Sequence, residues 1–91
     1  DDKSNSLFYV LFSVLCELLD QGNVEKALEV INESLIYLRR LSDSHKIHGL
    51  GAISGELAKH GHKEESKLFM QEAIECINIS NDNYLFEFLV K

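Results

Sequence analysis

Two stretches of this chain, Glu17 to Ala27 and Glu56 to Ser66, are versions of one another. They read Glu-Leu-Leu-Asp-Gln-Gly-Asn-Val-Glu-Lys-Ala and Glu-Leu-Ala-Lys-His-Gly-His-Lys-Glu-Glu-Ser. An offset of 39 residues lays Glu17 on Glu56, Leu18 on Leu57, Gly22 on Gly61 and Glu25 on Glu64. The same offset carries Leu11 to Leu50, Glu33 to Glu72 and Asp43 to Asp82. Each stretch reads as a helix end, one glycine and a helix start. The glycine is free to take the left-handed backbone that closes a helix. Lys59 and His60 fall in a last turn, where a cation suits the helix dipole. Glu64 and Glu65 fall in a first turn, where an anion suits it. A fixed period of this size means stacked helical hairpins, and it constrains the fold more than any other feature.

No Pro and only five Gly fit a chain that is nearly all helix. The first helix is expected from Ser6 to Gln21, capped by Ser4, Asn5 or Ser6. Within it, Leu7 to Leu19 is apolar except for Ser13 and Glu17. Acidic residues precede this run, no small-residue cleavage site follows it, and it is too short to span a bilayer. It therefore reads as a buried helix rather than a signal segment. The second helix starts at Asn23 and continues to Leu41, with Val24, Ala27, Leu28, Ile31, Leu35 and Leu38 as its inner stripe. Ser42-Asp43-Ser44 make the next turn and cap. The third helix, Ser44 to His60, is weakened by Gly49, Gly51 and Gly55, each costing up to ~1 kcal/mol relative to Ala.

A fourth helix begins near Lys63 and is expected to bury Phe69, Met70, Ala73, Ile74 and Ile77 before a turn at Ser80-Asn81-Asp82. Asn83 to Lys91 then start a fifth. The expected fold is all-α: an α-solenoid of antiparallel helical hairpins, two full repeats plus the first helix of a third. No Pro-rich or Gly/Ser-rich linker interrupts it, so residues 1–91 are expected to form a single domain, a fragment of a longer array.

Counting back from each glycine, the units hold Leu11, Val14, Leu15 and Leu18, then Leu50, Ile53, Ser54 and Leu57. Beyond the glycine come Ala27, Ile31 and Ser34, then Ser66, Met70 and Ala73. This order of large and small residues, over residues 5–91, resembles the tetratricopeptide repeat. Three departures mark it as divergent. Aliphatic residues replace the signature Trp, Tyr and Phe, and Arg39 and Asn78 stand near the place of the closing Pro. The period also exceeds the usual ~34 residues, so the helices must be longer by about one turn in total. HEAT-type and pentatricopeptide units remain neighbouring readings.

The resemblance implies a non-catalytic scaffold that holds a peptide or partner helix in a concave groove. In the family that groove is lined by the first helix of each hairpin. Here the corresponding face carries Tyr9, Phe12, Cys16 and Leu19, then His48, Gly51, Gly55 and Ala58. The best-known subgroup clamps a C-terminal carboxylate with Lys, Arg and Asn; aromatic, aliphatic and glycine residues stand in those places here, so an apolar guest is expected. Gly51, Gly55 and Ala58 share one helical face, where missing bulk either admits a partner or is filled from within.

A net charge of −6 and scattered basic residues, adjacent only at Arg39-Arg40, argue against nucleic acid, which calls for clustered Lys and Arg. Two Cys at different places in the unit read as free thiols rather than a disulfide framework, and the default setting is cytoplasmic. His45 and His48, or His60 and His62, lack the further ligands that zinc needs, so no metal or cofactor is expected. Cys16 fits no nucleophile motif, and no phosphate loop is present, so the chain is not expected to be an enzyme. The expected partner is a protein or peptide, with no nucleic acid and no membrane. A terminal unit should carry a polar outer face, yet Tyr84 to Val90 is strongly apolar. Either the parent chain continues, or a homodimer forms through Tyr84 and Phe88.

Overall fold

The computed structural model describes the backbone of residues 2–90 and the side chains of residues 3–78. Among them are four α-helices and no strand: α1 (Asp2–Asp20), α2 (Val24–Leu38), α3 (Asp43–Lys59) and α4 (Lys63–Val90). Both glycine stops form as expected. Gly22 has φ 76° and Gly61 has φ 88°, the only positive values among the described residues. The amide of Asn23 donates to the Leu18 carbonyl at 2.9 Å, and that of His62 to the Leu57 carbonyl at 2.8 Å. Each glycine amide also donates, to Leu19 or Ala58, at 3.0 Å. This double closure ties off the last carbonyls of α1 and α3. Asn23 then caps α2, its side-chain oxygen accepting from the Lys26 amide at 3.4 Å.

Short connections make sequential helices antiparallel, and α1 packs along α2 as α3 packs along α4. The hairpins meet through α3, which touches both α1 and α2. Gly49 permits that approach: a Cβ there would press on Leu38 and lie 3.0 Å from the Phe8 ring. The core combines Phe8, Leu15 and Leu19 of α1 with Ala27, Ile31, Leu35 and Leu38 of α2. Leu41 between α2 and α3, Leu50, Ile53 and Leu57 of α3, and Ala73 of α4 complete it. Within the second hairpin two serines are buried together. Ser54 Oγ donates to the Ser66 carbonyl at 2.9 Å, and Ser66 Oγ donates to the Ser54 carbonyl at 2.8 Å.

Several expectations need correction. Helix α1 begins at Asp2, so Ser4, offered as a cap, is a buried residue inside the helix. Helix α2 stops at Leu38, and Leu41 is buried beyond its end. The turn expected at Ser80-Asn81-Asp82 does not form, because α4 runs on to Val90 and there is no separate fifth helix. Ser, Asn and Asp each cost a helix only about 0.5 kcal/mol, and no Gly or Pro is there to force a stop. Met70, Ile74 and Ile77 are exposed rather than buried. Among the described residues α4 packs against α3 alone, and there its inner face consists of Ser66, Phe69, Ala73 and Cys76. The side chains of Tyr84 and Phe88 lie outside the described residues.

Candidate functional cleft

The N-terminal halves of α1 and α3 enclose a cleft of about 600 Å³. Helix α1 contributes Asn5, Phe8, Tyr9 and Phe12; Ser44, His45, His48 and Ala52 face them from α3, with Leu41 and Gly49 between. A spacing of four puts Phe8 and Phe12 on one helical face, and their rings stack at 6.1 Å with 26° between planes. Tyr9 meets Phe8 edge-on at 5.9 Å. Both arrangements suit the quadrupoles of aromatic rings. Phe8 is buried and Phe12 half-buried, whereas Tyr9 is 58% exposed. The result is a hollow with an aromatic wall on α1, faced by the more polar Ser44, His45 and His48 of α3. On the opposite wall, His45 Nδ1 lies 2.8 Å from Ser42 Oγ, which ties its ring to the start of α3. No Lys or Arg lines the cleft.

Of the residues expected to contact a partner, Tyr9, Phe12 and His48 come together here. Leu19 does not: it is buried in the core, one turn beyond Leu15 on the same face. Cys16 is half-buried outside the cleft. Gly51, Gly55 and Ala58 sit on another face of α3, and a Cβ on either glycine would meet nothing within 4 Å. The surface around them is open, so they form no dent. Phe8, His45 and Ala52 were not anticipated. Phe8 could have been found as the residue one turn before Phe12; the rotation of α3 that selects His45 and Ala52 has no signal in its own sequence.

A polar clasp joins α1 to α3 at the other end. His60 Nε2 lies 2.8 Å from Asp20 Oδ1, and Nδ1 lies 2.9 Å from the Glu56 carbonyl. Both nitrogens face oxygen acceptors, which only the doubly protonated ring satisfies by donating twice. The Glu56 carbonyl first, then Asp20, accordingly hold the His60 pKa above its ordinary value. The Cys16 thiol is also pushed up, by burial first and then by the Glu56 and Asp20 carboxylates. That shift reduces the thiolate fraction, the opposite of what a nucleophile requires. Among the described residues no group of three His, Cys, Asp or Glu could hold a metal ion. Among them, too, no helix is long and apolar enough to cross a membrane.

The chain was compared with protein families, curated proteins and solved structures, and no family model, curated protein or solved structure matches it.

Proposed function

We propose that this chain is a non-catalytic, cytoplasmic interaction module that holds an apolar peptide or partner helix in the α1–α3 cleft. The observation that carries the reading is Tyr9, an aromatic side chain standing exposed on the rim of the hollow beside Phe8 and Phe12. Exposed aromatics beside a pocket are the usual anchors of protein recognition. The volume lies within the range of about 300–1,000 Å³ that holds small ligands, enough here for one or two bulky side chains. A cleft without Lys or Arg offers no permanent cation to an acidic tail. Hairpins stacked through α3, with glycine closures repeated at Gly22 and Gly61, support a divergent tetratricopeptide-like framework as its scaffold.

The test is selection from a displayed library of random peptides, followed by titration of the winners. Apolar or aromatic peptides should emerge and shift the NMR signals of Tyr9, Phe12 and His48. Tyr9→Ala should weaken their binding about tenfold or more while leaving the melting temperature in place. Selection of acidic tails, or undiminished binding by Tyr9→Ala, would reject the reading. A second reading, a self-associating segment with no separate ligand, is favoured by the exposed apolar positions of α4.

A further inference from the structure

The 39-residue repeat allows each helix to be compared with its own counterpart. On α2, Ile31, Leu35 and Leu38 are 0%, 6% and 1% exposed. Their counterparts on α4, Met70, Ile74 and Ile77, are 42%, 48% and 38% exposed. The difference follows from position: α2 has α3 beside it, through the Leu38–Gly49 contact, and α4 has no helix on the matching side among the described residues. The partner face shows the mirror of this. On α3, Gly49 is buried and Ile53 is 0% exposed, whereas their counterparts on α1, Val10 and Val14, are 61% and 43% exposed. Among the described residues there is thus one joint between hairpins and, on α1 and α4, an unpartnered copy of each half of that joint.

We infer that a second copy of this chain docks head to tail, its α1 face on the α4 face of the first, repeating the α2–α3 joint between molecules. Carried over by the repeat, the Leu38–Gly49 contact becomes Ile77 of one copy on Val10 of the next. Stepping back along antiparallel helices then brings Ile74 to Val14, both exposed. Val10 carries a side chain where Gly49 has none, so the helices stand farther apart than α2 and α3 do. Lys63 and Lys67 also replace Val24 and Leu28 along the α4 face. Both changes make the joint between copies looser than the one within, hence reversible. Because its two halves differ, the contact is heterologous and propagates instead of closing at two. It uses faces outside the cleft and does not rest on the reading of the cleft.

Sedimentation equilibrium of the 91-residue chain provides the test. Its average mass should rise above 10.4 kDa with concentration and should not level off at a dimer. Ile74→Glu and Val14→Glu alter exposed side chains, should keep the helical melt, and should each abolish the rise. Mixed in equal amounts, they should form a one-to-one dimer and nothing larger, since the intact α1 face of one fits the intact α4 face of the other. A parent chain that stays monomeric to about 1 mM, the range of weak association, overturns the proposal. So does a Val14→Glu chain that dimerises by itself, which would mean two-fold pairing of α4, and so does a mixture that yields no heterodimer. Tyr9→Ala should leave the mass series unchanged, so failure here and failure of the cleft reading are separable.

Discussion

At one place inside the first hairpin stand Leu15 and Ala27, both buried; at the repeat-equivalent place in the second stand Ser54 and Ser66. The backbone turns are alike, yet one crossing is apolar and the other hydrogen-bonded. Burying a leucine stabilises by about 2 kcal/mol and tolerates small slips, because hydrophobic contact has no direction. A serine gains little from leaving water and must find partners. Here each hydroxyl reaches the other residue's carbonyl, and the two oxygens lie 2.8 Å apart. Only one register of α3 against α4 satisfies both. The first hairpin is therefore the stronger crossing, and the second is the more exactingly aligned.

Three substitutions probe that contrast. The largest effect should come from Leu15→Ala, about 3 kcal/mol for a fully buried leucine, read from the midpoint of chemical denaturation. Ser54→Ala and Ser66→Ala should each cost about 1 kcal/mol, since each removes one buried hydrogen bond. The double alanine variant should cost less than the two single changes combined, because the contact between the two hydroxyls, 2.8 Å apart, is lost only once. Additive costs in that cycle would mean that the serines act separately and do not set the register.

The smallest effect concerns the polar ends of the hairpins. His60 occupies the place that Gln21 holds in the first unit, where Gln21 Nε2 reaches only Glu17 Oε1, at 3.5 Å. The His60 pKa is raised in the folded state, so protonation favours folding. The stabilisation is fully present below the unfolded value of about 6.5 and is lost as pH rises through the higher folded value. Thermal melts from about pH 5.5 to 8 should fall slightly across that window. Asp20, Glu56, Cys16 and Lys59 share the clasp, and His60→Gln, which copies Gln21, should flatten the trend. A parent chain with no slope would remove the clasp from the account.

What could be read in advance followed from local physics. Gly22 and Gly61 were legible as left-handed stops, and Asn23 as a cap, because each property belongs to the residue itself. The inner stripe of α2 was legible because its spacing is helical. Helix α4 was harder to read. Its length depends on a small balance of propensities at Ser80-Asn81-Asp82, and its exposed Met70 and Ile74 depend on which neighbours are present. The cleft was half legible. Tyr9 and Phe12 share one side of α1, but the glycine face of α3 turned away from them and His45 and Ala52 turned in. That rotation is set by Gly49 closing on Leu38 and Phe8, a contact between three helices that no single-helix pattern contains.

Helix α3 is the element that touches the other three, and it carries Gly49, Gly51 and Gly55. Relative to alanine those glycines cost it roughly 3 kcal/mol of intrinsic helicity, so it cannot persist alone in water. Folding therefore does not begin there. The α1–α2 hairpin, local in sequence and stripe-forming, is expected to close first and to offer α3 a surface on which to order. Once α3 is laid down, α4 has its inner face; if α3 melts, α4 loses its packed neighbour at the same moment. A weak helix at the crossing point ties the second hairpin to the first: α4 keeps its packed neighbour only while α1 and α2 hold α3 in place.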